Sequence, residues 1–266
     1  MSGTVLYERS GRVATVTLNR PEKRNAITAE LQGDLLAALD EAAADTGVHV
    51  AVLVGAGRSF CAGYDITGGA DFTTDGPSDR AWLERMVHGW LRIWDLPLPV
   101  VAQVHGACLA GGTQLAAICD VTFVADDAVI GTPQLPLGAG YVAAFWAWFA
   151  GPKKAKEIFL PTGTTVTAEE AVAMGLFNRV VPAGRLGEEV RAYAELVART
   201  PRDILGLQKL AINRTQDAQG FRNALLQAAE IDAIAHTSPA VRTAHRFIRD
   251  NGLGEALRAF RSGELL

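Results

Sequence analysis

Lysine is scarce in this 266-residue chain: five residues, Lys23, Lys153, Lys154, Lys156 and Lys209, leave arginine to carry most of the positive charge. Acids are in slight excess and the formal net charge is −4, so there is no electrostatic reason to expect a nucleic-acid partner. Cysteine is scarcer still. Cys61, Cys108 and Cys119 form no CxxC pair and lie beside small or apolar residues, which suits buried free thiols in a reducing compartment. Long apolar runs are missing too. The longest, Val142 to Ala150, is too short to cross a bilayer, and Met1 to Arg9 holds no run resembling a signal peptide. A soluble, cytoplasmic protein with no membrane partner is expected.

Several chemical signatures are also absent. Gly55-Ala56-Gly57 lacks the third glycine of a dinucleotide-binding turn, and neither a Walker A loop nor a GxSxG elbow occurs. His49, His88, His105, His236 and His245 are scattered without metal-ligand spacing, and no HExxH is present, so no metal is expected. What remains is a globular composition, 49% hydrophobic and 20% charged, long enough for a sizeable core.

The first half alternates strand and helix signals. Val13 to Leu18 and Val48 to Val54 read as strands, the second closed by Gly55-Ala56-Gly57. Between them Thr28 caps a helix carrying Leu31, Leu35, Leu39 and Ala42 at helical spacing. A long helix runs from Asp79 to Asp95 and stops before Pro97 and Pro99. Strands follow at Val100 to Val104 and Val121 to Ala125, with a short helix from Gly111-Gly112 to near Cys119 between them. Thr167-Ala168-Glu169-Glu170 is a capping box for a helix that Gly175 ends, and Phe177 to Val181 is a short strand. Helices are then expected at Leu186–Arg199, Pro201–Ile212, Phe221–Ala235 and Pro239–Ile248. This gives an α/β core over residues 1–195 and a helical part over 196–266.

Two glycine-containing turns carry the most chemical information. One is Arg58 to Ile66, directly after a buried strand; the other is His105 to Ala116, between a strand and a helix. Small residues let backbone approach a ligand closely, and a helix starting at Gly111-Gly112 aims unpaired N–H groups at whatever lies before it. Two amides from separate turns can stabilise an oxyanion. Tight strand-to-helix turns without a ligand would show the same pattern.

Taken together, Leu18-Asn19-Arg20-Pro21…Asn25-Ala26, Ser59 to Ile66, Gly106…Ala110-Gly111-Gly112…Leu115-Ala116…Cys119-Asp120, Gly131-Thr132-Pro133 and Ala171 to Val181 resemble the crotonase (enoyl-CoA hydratase/isomerase) superfamily over nearly the whole chain. The resemblance implies a ClpP/crotonase-like fold of repeated β-β-α units in two stacked sheets. It also implies a C-terminal helical trimerisation region, in homotrimers that often pair into hexamers. The implied ligand is an acyl-CoA thioester, whose CoA is part of the substrate, so no separate cofactor is implied. The family's oxyanion-hole amides fall on Tyr64 and Gly111. Arg24, Ala26, Ala62, Asp65 and Ile66 are implied to border CoA, with Phe260 and Arg261 reaching the CoA of a neighbouring subunit. Asp65 is more often structural than catalytic in this motif.

Against that family, this sequence breaks the pattern at the acid–base positions. Hydratases place glutamates where Gln114 and Gln134 stand here. Glutamine holds water by hydrogen bonds but neither takes up nor delivers a proton near neutral pH. Losing one acid–base group typically costs about 10²–10⁴ in rate, so ordinary enoyl-CoA hydration is disfavoured and isomerisation is weakened. Other proton-transfer candidates are few. Tyr141 donates a proton or orients water, or simply lines an apolar pocket. Glu84 and His88, four apart on the long helix, form an acid–base pair or a solvated stripe continued by Arg92. Trp82, Met86, Trp90 and Trp94 lie on one side of that helix, as core or as acyl-pocket wall. His105 is expected to bond backbone. Two function classes follow: an acyl-CoA enzyme that is not an ordinary hydratase, or a non-catalytic acyl-CoA-binding protein that has kept the cradle and lost the acids.

Overall fold

The computed structural model describes residues 3–66, 76–138 and 140–265. Among them the strands are β1 (Val5–Ser10), β2 (Val13–Leu18), β3 (Val50–Gly55), β4 (Val100–Val104), β5 (Ala107–Leu109), β6 (Val121–Ala125), β7 (Val129–Gly131), β8 (Thr165–Val166) and β9 (Arg179–Val181). The helices of the first two thirds are α1 (Ala29–Ala44), α2 (Gly76–Asp95), α3 (Gly111–Ile118), α4 (Ala143–Phe149), α5 (Pro152–Phe159) and α6 (Ala168–Ala173). The rest are α7 (Leu186–Val197), α8 (Arg202–Ala218), α9 (Phe221–His236), α10 (Pro239–Asn251) and α11 (Leu253–Arg261).

One sheet runs β1-β2-β3-β4-β6-β9; a smaller one runs β5-β7-β8. The first is parallel except for the β1–β2 hairpin, in which Val5 pairs with Leu18 and Ser10 with Val13. Period-two patterning explains β2: Ala14, Val16 and Leu18 are fully buried, while Val13, Thr15 and Thr17 are half-buried. β3 is buried on both faces, as its unbroken apolar run requires of a central parallel strand. α1 packs on β1 and β2, and α7 packs on β3, β4 and β6. Consecutive strands β4 and β5, followed by α3, step the chain from the large sheet to the small one. That step sets the second glycine turn beside the first.

The expected caps form. Thr28 accepts from the Leu31 amide at 3.1 Å, and Thr167 and Glu170 exchange both capping-box bonds. The long helix begins at Gly76 rather than Asp79, and α8 runs on to Ala218 rather than stopping at Ile212. The strand expected from Phe177 begins at Arg179, because the Leu176 and Phe177 amides turn back onto the Ala171 carbonyl. β1, the short strands of the small sheet, α4, α5 and α11 were not anticipated. Each is short or weakly patterned and gains its partners only from tertiary packing.

α10 and α11 form a satellite core with the segment before α4. Ile248, Ala256, Ala259 and Leu265 bury Leu135, with Ile66, Leu137 and Phe260 packed around them.

Candidate active site

The first turn is built by pairing with residues upstream of α1. Ile27 donates to the Gly63 carbonyl at 2.8 Å and accepts from the Asp65 amide at 2.9 Å, so the Tyr64 amide faces the other way. Asn25, fully buried with φ +57°, pins the turn that follows β3. Its side chain donates to the Ala56 and Ser59 carbonyls at 3.0 and 2.8 Å and accepts from Arg20. Arg20 also bonds the Ala26 carbonyl and pairs with Asp65 at 3.0 Å. Asp65 therefore braces the turn.

The second turn is locked against the first. Cys61 donates to Ala107 and accepts from Leu109, both at 3.0 Å. Ala110 has φ +47° and ψ −119°, a conformation that costs an L-residue about 1–3 kcal/mol unless its surroundings impose it. They do: its amide donates to Gly131, and its carbonyl accepts from both the amide and the hydroxyl of Thr113. Trp146 in turn donates to the Thr113 hydroxyl at 2.9 Å. The strained residue turns the chain into α3, so that Gly111 presents its amide at the helix N-terminus.

Glycine is obligatory at this meeting point. A Cβ on Gly63 would stand 2.9 Å from the Ala110 Cβ and 3.3 Å from the Gly111 nitrogen, and one on Gly111 would stand 2.6 Å from the Tyr64 ring. Among the described residues neither the Tyr64 nor the Gly111 amide donates to a backbone carbonyl. Two free amides on abutting segments, one of them at a helix N-terminus, are chemically suited to stabilise an anionic oxygen.

The side chains around this pair are aromatic and neutral. The Tyr64 hydroxyl donates to Gln114 Oε1 at 2.8 Å and accepts from Trp90 Nε1 at 3.0 Å. Gln114, fully buried, spends its own amide hydrogen on the Tyr141 carbonyl at 2.9 Å. The Tyr64 ring lies 5.7 Å from that of Tyr141 and 6.3 Å from that of Trp82. Burial pushes the Tyr64 phenol well above its usual range, and Tyr141 beside it adds to the rise. Burial also raises Tyr141, with Tyr64 and Trp90 beside its hydroxyl opposing the rise. Both phenols are thus donors and neither is a base at neutral pH. Cys61, next to the turn, is pushed up to about 12 by burial and is equally inert.

Residues 8–248 match the family profile described as enoyl-CoA hydratase/isomerase. The chain belongs to this family. A Thermus thermophilus relative, provisionally named an enoyl-CoA hydratase, is 36% identical over 260 residues, with 94% of each chain covered. An enoyl-CoA hydratase/isomerase structure from Xanthobacter autotrophicus Py2 superposes with a TM-score of 0.91 at 36% identity, covering 100% of both chains. An enoyl-CoA hydratase structure from Mycobacterium smegmatis gives 0.90 at 31% identity, over 98% of this chain and 94% of that one. The fold is accordingly the crotonase fold.

Within this enoyl-CoA hydratase/isomerase scaffold the sequence-predicted residues do not all converge. Tyr64, Gly111, Gln114 and Tyr141 do. The Gln134 amide donates back to the Thr132 carbonyl at 3.3 Å. Glu84 and His88 are not an acid–base pair. Glu84 is engaged by Arg80 at 2.8 Å, and His88 is exposed, because both sit on the face of α2 opposite Leu83, Met86, Val87 and Trp90. The tryptophan stripe divides: Trp82 and Trp90 meet Tyr64, while Trp94 packs on Phe221 in the core. Arg24 is exposed, and its carbonyl accepts from Ala62, which places Arg24, Ala26 and Ala62 along the outer edge of the first turn. Phe260 and Ile66 are both partly buried against the satellite core, and Arg261 is exposed. His105 bonds the Gly57 carbonyl at 3.0 Å.

Sequence reading missed three contributors. Asn25 was read only as part of a motif; its φ, tolerated by asparagine, was the available signal. Trp90 was seen as apolar, although a buried indole N–H needs an acceptor. Asp232, which accepts from the Gly140 and Tyr141 amides, showed only a His236 four residues on as a signal, since those amides lie far away in sequence.

Among the described residues no helix is long and apolar enough to cross a membrane, and no group of three His, Cys, Asp or Glu is arranged to hold a metal ion.

Proposed function

We propose that this chain binds an acyl-CoA thioester with its carbonyl oxygen between the amides of Tyr64 and Gly111, and that it is not an ordinary enoyl-CoA hydratase. The observation that carries the second part is the Tyr64–Gln114 hydrogen bond. In place of a carboxylate poised over water stands an amide that is already engaged by a phenol and by a backbone carbonyl. Ordinary hydration needs a group that takes a proton from water and another that returns one; glutamines at both positions do neither. The donor pair is unaffected by this loss and stabilises an enolate or a tetrahedral oxyanion, with the neutral Tyr141 hydroxyl available to donate.

Arg24, Ala26, Ala62, Asp65 and Ile66 border the CoA arm in this reading, with Phe260 and Arg261 reaching the CoA of a neighbouring subunit, as the resemblance implies. Residues 1–195 form the acyl-CoA-binding core and 196–266 the oligomerisation region of a homotrimer or a pair of trimers. Exposed apolar side chains support this: Leu207 and Ile212 on α8 are 62% and 65% exposed, and Ile234 on α9 is 70% exposed. Three buried free cysteines suit a cytoplasmic setting.

The test is turnover of crotonyl-CoA beside binding of the same thioester. Tight binding with hydration near background is the expected result. Robust hydration that disappears in Gln114→Ala or Gln134→Ala would restore a hydratase. Binding without turnover of any enoyl-, oxo- or aryl-CoA would establish the non-catalytic acyl-CoA-binding protein.

A further inference from the structure

Three titratable side chains that the site chemistry does not use are buried together: Asp79 on the first turn of α2, and Asp232 and His236 on α9, exposed by 4%, 6% and 8%. His236 Nδ1 lies 2.6 Å from Asp79 Oδ2, and its Nε2 lies 3.6 Å from Asp232 Oδ2. The other oxygen of Asp232 accepts from the Gly140 amide at 2.8 Å and the Tyr141 amide at 3.4 Å. Gly138 lets the carboxylate approach: a Cβ there would stand 2.8 Å from both oxygens.

Burying two carboxylates and an imidazole is a costly way to hold two helices together, since apolar packing does so without desolvating charge. What the cluster adds is direction. It fixes two amides of the turn that leads into α4, and that turn supplies the Tyr141 carbonyl on which Gln114 Nε2 rests. Gln114 then holds the Tyr64 hydroxyl, and Trp90 of α2 donates to the same hydroxyl. α2 is thus tied to the site twice, through Trp90 at one point and through Asp79 and His236 at another.

We propose that Asp232, braced by His236 and Asp79, is a positioning residue for the acyl pocket. It sets the Tyr141 turn, and through it the Gln114 amide and the Tyr64 phenol beside the thioester carbonyl. This rests on the acyl-CoA reading above for its consequence, though not for its geometry.

The experiment compares the wild-type chain with Asp232→Ala, Asp232→Asn and Glu230→Gln. Glu230 pairs with Arg80 on the surface of the same two helices, so its variant reports a purely structural α2–α9 clamp. Two quantities are read: the affinity for crotonyl-CoA relative to free CoA, and, without ligand, the Trp90 indole N–H resonance together with exchange of the Gly140 and Tyr141 amides. Asp232→Ala should lower the preference for crotonyl-CoA about 10-fold, shift the indole resonance and speed both amides. Asp232→Asn keeps an acceptor oxygen and should lose less; Glu230→Gln should move neither quantity. Unchanged preference and unchanged resonance in Asp232→Ala would overturn the proposal, as would equal losses in Glu230→Gln. Should Asp232→Ala not fold, His236→Gln takes its place, with a shifted indole resonance expected and an unchanged one overturning the proposal. If the wild-type chain binds neither CoA nor crotonyl-CoA, the acyl-CoA reading fails, and the resonance and exchange measurements alone decide the positioning role.

Discussion

Tyr64 does two jobs with different parts of one residue. Its amide is one of the two proposed oxyanion donors, and its hydroxyl holds the oxygen of Gln114. Restoring carboxylates alone is therefore expected to do little. Gln114→Glu with Gln134→Glu should raise crotonyl-CoA hydration by about 10² only when Tyr64→Ala is added, followed by loss of enoyl-thioester absorbance. An equal gain without Tyr64→Ala would show that the phenol does not obstruct the site. Gly63→Ala puts a Cβ 2.9 Å from Ala110 at φ +96°, and should cost about 1–3 kcal/mol in urea unfolding while weakening thioester binding. The glycines and glutamines were legible from their place in the motifs. The Tyr64–Gln114–Trp90 network was not, because it joins three elements far apart in sequence.

At the level of elements, α8 is fastened by a buried lysine. Lys209 donates to the Ile93 and Leu98 carbonyls at 2.9 and 3.2 Å and pairs with Asp120 at 2.8 Å, just past α3. Burial nonetheless holds the Asp120 carboxyl above its ordinary range, so desolvation outweighs the lysine's attraction. Lys209→Met, which strands that carboxylate, should cost about 3 kcal/mol, and adding Asp120→Asn should recover part of it in a double-mutant cycle. Burial also lowers half-buried His245 on α10 to about 4, with His236 adding to the fall. An unfolded histidine titrates near about 6.5, so between about 6.5 and 4 the unfolded chain binds more protons and stability falls as pH falls. His245→Asn should flatten that slope in urea midpoints measured across the window. Long periodic helices and β-branched strands were readable from sequence. β5, β7 and β8 were not, since strands of two or three residues are defined by the partners they pair with rather than by their own pattern.

For the whole molecule, the sequence motifs lie far apart along the chain, and the fold gathers them because β4, β5 and α3 carry the second turn across to the first. Family membership was legible for that reason: the motifs are the backbone of the site. Side-chain traffic around it was not. Leu207→Glu with Ile234→Glu should leave the helical content intact and lower the solution mass by light scattering from a multiple of three chains to one; an unchanged mass would place the oligomer interface elsewhere.

Whether the two backbone amides hold the thioester carbonyl is decided by a structure of the chain with a bound CoA thioester. The thioester carbonyl oxygen is expected about 2.7–3.1 Å from both the Tyr64 and the Gly111 nitrogens, with the Tyr64 hydroxyl still on Gln114. A thioester bound with its carbonyl away from either amide, or a water held between Gln114 and Gln134 with the phenol swung aside, would contradict it.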